Sequence, residues 1–185
     1  MLSILIPCLN EETLINKTFK EIFKSLTKLK IKKYEIIFID DGSIDKSLNF
    51  ARKIKKKNKK IIISTNKKNF GLGYNFFKGI KLAKGNYFIF IPCDNSHPSN
   101  EISKILKYMN SKYDLTTTYY SNRSKQNFTR HLFTSFYTPL LNFIYGTNFP
   151  YFNGLTLYKT KYLKKIKFKN PSFSFQIEIF VYLFH

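Results

Sequence analysis

Residues 34–45 read YEIIFIDDGSID. The run from Tyr34 to Asp40 is too apolar along its length to keep one face in water, and it stops on two acids and a Gly-Ser pair suited to turning the chain. Three further runs share this grammar: Leu2 to Pro7, Lys60 to Thr65 and Tyr87 to Pro92. Strands apolar on both faces are covered on both faces, as in parallel sheets flanked by helices. The intervening segments have the helical length and period this requires. They are Glu12 to Leu29, with Ile15, Phe19, Ile22, Phe23 and Leu26 in phase, Asp45 to Lys57, with Leu48, Ala51 and Ile54, and Leu72 to Ala83. Strand and helix alternating in this way imply right-handed crossovers and an α/β fold with a mainly parallel central sheet and helices on both faces. A helix from Pro98 to Asn110 and a strand from Asp114 to Tyr119 continue the series. From Ser121 to Gly146 the chain is rich in aromatics and hydroxyls and reads as a loop followed by a helix. An extended stretch from Asn153 to Tyr158 follows, whose pairing the sequence leaves open, and then an aromatic helix from Phe173 to His185.

With 185 residues, 43% of them hydrophobic and 23% charged, the chain is expected to form one folded domain and not a disordered one. Its apolar runs fall well short of the roughly 20 residues that span a bilayer, so no transmembrane helix is expected. MLSILIP carries no basic leader, which makes the cytoplasm the expected compartment. Cys8 and Cys93 stand apart from any CxxC or Cys/His spacing, which argues against zinc and a disulfide framework. The net charge of +21 comes from 29 lysines against 3 arginines. Arginine is the residue that forks onto phosphate and guanine, so its scarcity argues against a nucleic-acid partner. An anionic membrane surface suits clustered lysines better. Solvated lysine on helix surfaces is the plainer account.

In an open parallel sheet, ligands bind beyond the carboxyl ends of the strands. Those ends are polar here: Pro7-Cys8-Leu9-Asn10-Glu11, Asp40-Asp41-Gly42-Ser43-Ile44-Asp45, and Cys93-Asp94-Asn95-Ser96-His97. Glu11, Asp40, Asp41, Asp45 and Asp94 thus gather on one edge of a protein that has only 11 acids. Carboxylates held together repel unless a cation or hydrogen-bond donors compensate, which points to Mg2+ or Mn2+ with a nucleoside diphosphate. The structural alternative is that Asp40, Asp41 and Asp45 turn the chain and cap the next helix.

PCLNE at 7–11, YEIIFIDDGSID at 34–45 and NFGLGYNFFKGIKLAKGNYFIFIPCD at 69–94 follow one another in an order that resembles the catalytic domain of glycosyltransferase family 2. The resemblance is strongest to the branch that transfers sugars to dolichyl or polyprenyl phosphate. It implies a GT-A fold and a single catalytic domain over residues 1–185, with a nucleotide-binding half at 1–97 and an acceptor half at 98–185 that is short at its C-terminus. The implied partners are a nucleoside diphosphate sugar, a divalent metal and a polyprenyl phosphate or glycan acceptor, with inversion at the anomeric centre. By the same resemblance Pro7, Leu9 and Glu11 surround the base and ribose, with Leu9 where the family usually has Tyr, and Ile39 and Asp41 contact them. Gly71 and Gly73 match the family's glycine turn, which need only start a helix. Asp94 and Ser96 occupy the metal motif Asp-x-Asp, the second carboxylate being replaced by a hydroxyl, and Asn95 lies between them on the donor. His97 either assists the metal or packs before Pro98. Arg123 reaches the diphosphate, and Glu178 is the base or acceptor-positioning group. Asn153 either contacts the acceptor or makes an Asn-Gly turn. The expected activity is sugar transfer. The alternative is a degenerate or truncated nucleotide-sugar binding module without turnover. A sugar-1-phosphate nucleotidyltransferase is disfavoured, since its Gly-rich start is absent after Pro7.

Overall fold

The computed structural model describes residues 1–119, 128–166 and 175–184. Six strands and seven helices are seen among them, in the order β1 (Leu2–Cys8), α1 (Ile15–Lys28), β2 (Tyr34–Asp40), α2 (Ser47–Lys57), β3 (Ile61–Thr65), α3 (Leu72–Leu82), β4 (Tyr87–Phe90), α4 (Ser99–Leu106), β5 (Leu115–Thr117), α5 (Phe128–Tyr145), β6 (Thr156–Lys159), α6 (Thr160–Leu163) and α7 (Phe175–Phe184). The strands form one sheet in the order β3-β2-β1-β4-β6-β5. β3, β2, β1 and β4 run parallel, and β6 runs antiparallel to both β4 and β5.

β1 shows why the parallel strands read as continuous apolar runs. All seven of its residues are buried, and successive side chains enter opposite layers. Ile4 and Ile6 meet Ile15, Phe19 and Ile22 of α1 and Ile102 and Ile105 of α4. Leu5, between them, meets Phe76 and Ile80 of α3 and Ile179 of α7. A Cβ built on Gly79 would lie 2.6 Å from a Leu5 methyl, so the missing side chain lets α3 settle directly onto the strand.

The Asn153 to Tyr158 stretch finds its place as β6, inserted between β4 and β5. Thr117 and Thr156 hydroxyls meet across that pair at 2.8 Å, and Gly154 lies where any Cβ would collide with the Thr118 carbonyl. Two helices are shorter than their hydrophobic period suggests. α1 starts at Ile15 and not Glu12; the backbone N–H of Glu11 is bonded to Ser47 Oγ at the start of α2 and that of Glu12 to Asp45 Oδ2. α4 stops at Leu106, and the chain reaches a left-handed Asn110 (φ 69°) whose N–H donates to the Tyr87 hydroxyl at 2.8 Å.

Candidate active site

The carboxyl edge of the sheet is assembled by loops that bond to each other. After β1, Asn10 N–H donates to Ser43 Oγ (3.0 Å), and Asn10 Oδ1 accepts from Ile44 N–H (2.9 Å). Glu11 N–H donates to Ser47 Oγ at 2.8 Å. Glu12 N–H donates to Asp45 Oδ2 (3.0 Å), while Glu12 Oε2 accepts from Lys46 N–H (2.8 Å). The loops after β1 and β2 are therefore zipped together, with Asn10 in the left-handed region (φ 55°) to make the turn. Burial works to raise the Asp45 carboxyl, but donors from Ser47 and Glu12 outweigh it and hold the group below its ordinary value.

Asp41 is buried at the root of this edge. Its N–H continues the β1–β2 ladder to Cys8 O at 2.8 Å. Its carboxylate accepts from Asn66 Nδ2 (2.7 Å), Phe70 N–H (3.0 Å) and Gly71 N–H (2.9 Å), fixing the whole loop between β3 and α3. The loop passes so close that a Cβ on Gly42 (φ 82°) would stand 2.8 Å from the Lys68 carbonyl carbon, which only glycine avoids. Asn66 also donates to Asn75 Oδ1 (2.7 Å) and accepts from Lys78 Nζ (2.6 Å), tying the loop to α3.

The segment carrying Asp94 is held by α1. Thr18 Oγ1 donates to Cys93 O (2.9 Å), Ser25 Oγ donates to Ser99 O (2.9 Å), and Glu21 Oε2 accepts from Ser99 N–H (2.7 Å). Within it, Asp94 Oδ1 accepts from Ser96 N–H at 3.0 Å, and Asn95 adopts φ 56°. Asp94 and Ser96 are solvent-exposed, whereas Asn95 Oδ1 is buried with no hydrogen-bond partner. His97 Nδ1 lies 3.5 Å from Glu101 Oε2, a contact facing α4.

The acids lie close enough to act on one another. Burial raises the Glu11 carboxyl above its ordinary value, and the nearby carboxylates of Asp94 and Asp45 raise it further. Cys8 and Cys93, buried at the ends of β1 and beyond β4, are hydrogen-bonded to each other; that bond and burial push the Cys93 thiol up. The same bond holds the Cys8 thiol below its ordinary value.

Of the other residues singled out in the sequence, Pro7 and Ile39 are buried within β1 and β2, and Leu9 is 37% exposed at the edge. Glu178 is half-buried on α7, one turn beyond Phe175, whose ring packs on Phe76 (4.5 Å between centroids) and on Phe90 at the end of β4 (5.9 Å). Asn153 is exposed beside Gly154. Arg123 lies outside the described residues. The zipper between loops and the rail of Thr18, Glu21 and Ser25 are not evident from sequence, where Ser, Asn and Asp after a strand signal only a turn.

Comparison with known proteins agrees with this architecture. The family model described as Glycosyl transferase family 2 matches residues 3–167. A protein of Synechocystis named as an uncharacterized glycosyltransferase is 37% identical over 125 residues, covering 68% of this chain and 38% of the relative. The dolichol-phosphate mannosyltransferase of Saccharomyces cerevisiae is 30% identical over 107 residues, covering 57% of this chain and 39% of that enzyme. The chain thus spans well under half the length of either relative. Among solved structures, glucosyl-3-phosphoglycerate synthase of Mycobacterium tuberculosis, in complex with Mn2+, UDP-glucose and phosphoglyceric acid, superimposes with a TM-score of 0.71 at 19% identity, covering 100% of this chain and 65% of that one. The family match runs from the second residue of β1 to beyond α6 and so takes in every loop that builds the acid edge; the chain belongs to glycosyltransferase family 2 and has the GT-A fold.

Proposed function

We propose that the chain carries the catalytic site of a transferase that moves a sugar from a nucleoside diphosphate to a polyprenyl phosphate, with inversion, at the inner face of a membrane. The observation that carries this reading is the convergence of Glu11, Asp45 and Asp94 at the carboxyl edge of the sheet, where burial first and then the two neighbouring carboxylates raise the Glu11 carboxyl. Such an edge calls for a cation and a ligand rich in donors. The neighbour solved with Mn2+ and UDP-glucose supports a nucleotide sugar as donor, and the relative named a dolichol-phosphate mannosyltransferase supports a lipid-linked acceptor.

The oxygens of Asp94, Asn95 and Ser96 are of the kind that hard divalent cations take, and the unpartnered Asn95 Oδ1 is a suitable acceptor for one. Among the described residues no three His, Cys, Asp or Glu side chains form a metal site, so the donor's phosphates and water would complete the shell. Held by Asp94, Asn95 and Ser96, Mg2+ or Mn2+ would supply positive charge to offset that on the departing diphosphate. An acceptor oxygen attacks C1 from the opposite face, the bond from C1 to the diphosphate oxygen breaks, and its electron pair leaves with the diphosphate.

A phosphate acceptor is already anionic and needs no base, whereas a hydroxyl does. Glu178 separates the two cases. Glu178→Gln is expected to leave donor affinity intact and to slow transfer to a glycan hydroxyl by about 100-fold or more. Unchanged rates with every hydroxyl acceptor would assign Glu178 a structural part.

A thermal-shift panel of UDP, GDP and their sugars, with and without Mn2+, tests the donor site. A ligand at 100 times its dissociation constant adds about 2.7 kcal/mol, or roughly 5–10 °C for a domain of this size. A Mn2+-dependent shift for one base is the expected result, and no shift with any nucleotide overturns the reading. The single carboxylate of Asp94-Asn95-Ser96 favours a second reading, a nucleotide-sugar binding module without turnover. That reading predicts the same shift with no transfer to undecaprenyl phosphate.

A further inference from the structure

Tyr87 opens β4, and Lys159, paired with it, closes the antiparallel β6, so both stand at the amino edge of the sheet, the end opposite the acids. A cavity of about 440 Å3 opens there, within the range of roughly 300–1,000 Å3 typical of small-molecule sites. Asn86, Asn110 and Thr160 line it together with Lys159, Lys161 and Lys164. Its walls are tied to the sheet from behind. Gly85 N–H donates to Ser3 Oγ (2.8 Å), which donates to the buried carboxylate of Glu35 (2.6 Å), and a Cβ on Gly85 would stand 2.7 Å from the Ser3 nitrogen. Asn86 N–H donates to Met1 O (2.8 Å), Asn86 O accepts from Thr160 N–H (2.9 Å), and the Tyr87 hydroxyl accepts from Asn110 N–H (2.8 Å). The cavity is thus formed by the fold itself, before any ligand arrives.

Two features of the lining call for a ligand. Thr160 is 3% exposed, yet its Oγ1 has no hydrogen-bond partner among the described residues, a state in which buried hydroxyls are rarely left. The three lysines share one carboxylate. Asp114 meets Lys159 Nζ at 2.8 Å and acts on Lys161 from farther off, while Lys164 Nζ donates to the neutral Ala83 carbonyl at 2.8 Å and Lys161 lies over the Tyr162 ring at 4.6 Å. The Glu35 carboxylate behind Gly85 is already engaged by Ser3 Oγ and Lys84 N–H. A phosphate ester offers up to two negative charges and three terminal oxygens, enough to accept from two ammonium groups and a hydroxyl together, where a carboxylate has only two oxygens. We propose that this cavity binds a phosphate monoester, at a site separate from the acid edge, with Lys161 and Lys164 meeting its charge and Thr160 Oγ1 donating to one of its oxygens. A free polyol phosphate and the phosphate headgroup of a lipid share this chemistry. The site does not depend on the transferase reading, and its failure leaves that reading in place.

Without a metal the acid edge repels phosphate, so the test is run in EDTA, with ionic strength held by sodium chloride. The 185-residue chain is titrated with glycerol 3-phosphate and, in a second arm, with vesicles of phosphatidic acid in phosphatidylcholine. The backbone amide signals of Gly85, Asn86 and Thr160 shift saturably with glycerol 3-phosphate in the first arm. Thr160→Val keeps the shape of the side chain and removes the hydroxyl; it lowers affinity by about 10-fold, as loss of one hydrogen bond to a charged group does. Its melting temperature holds, because the hydroxyl has no partner to lose. Lys161→Ala lowers affinity to a similar extent, whereas Lys20→Ala, which removes the same charge from exposed α1, leaves it unchanged. A response of glycerol 3-phosphate binding to Thr160→Val assigns the site to a free ester, and a response of vesicle binding alone assigns it to a lipid headgroup. If neither responds, the proposal is overturned. Equal losses in Lys161→Ala and Lys20→Ala overturn it too, since binding would then be diffuse attraction to the positive charge of the whole chain.

Discussion

Asp94→Ala is expected to lower Mn2+-dependent affinity for the donor nucleotide by about 100-fold or more, since loss of groups that merely support metal ligands already costs about 10–100-fold. The magnitude follows from the motif, in which Asn95 and Ser96 supply neutral oxygens and Asp94 the one formal charge. Because Asp94 is exposed, the loss should come with little change in melting temperature. Asp94 Oδ1 also accepts from Ser96 N–H at 3.0 Å, so the alanine variant alone confounds charge with turn geometry. Asp94→Asn keeps that acceptor and removes the charge, and it should lose nearly as much affinity. A second readout comes from Glu11. Burial keeps its carboxyl raised in any variant, but Asp94→Asn withdraws one of the two neighbouring charges, so Glu11 should titrate closer to its ordinary value by NMR. If Mn2+-dependent binding persists in both variants, the metal is held elsewhere and the assignment fails.

How much of this site can be read from sequence depends on how far apart the bonded groups lie. β1 to β4 are readable because each is buried on both faces, which leaves an unbroken apolar run. The acids after them are readable because their placement follows from the strands. β6 is readable only as an extended stretch, since four residues carry no period and its pairing depends on Thr117, Thr118 and Gly154 meeting across the sheet. Asp41 is a sharper case. Its acidic character and position are plain in DDGSID, yet whether it faces a ligand or the protein depends on the N–H groups of Phe70 and Gly71, 29 and 30 residues away. Every non-proline residue has such an N–H, so no residue type advertises the bond.

The outer face of α5 gives the second large expected effect. Phe136, Tyr137, Leu140, Phe143 and Ile144 recur at helical spacing and are exposed, Phe143 by 87%. No Lys, Arg, Asp or Glu occurs between Arg130 and Lys159, although 23% of the chain is charged. Among the described residues no helix is long and apolar enough to cross a membrane, and an apolar stripe of this kind suits one that lies in the interface. If α5 lies in an interface, a net charge of +21 would add attraction to anionic headgroups at about 1 kcal/mol for each lysine near the surface. Leu140→Glu with Phe143→Glu should therefore weaken partitioning onto vesicles containing phosphatidylserine by about 100-fold or more, since burying each such side chain contributes roughly 1.5–3 kcal/mol. Both positions are solvent-exposed, so the melting temperature should hold. Raising salt should weaken binding of the unmodified chain without abolishing it, because screening removes the lysine contribution and leaves the apolar one. A double variant that binds vesicles as well as the unmodified chain would refute a membrane-facing α5. If the unmodified chain ignores vesicles and forms dimers that the double variant cannot, the stripe instead joins two copies of the chain.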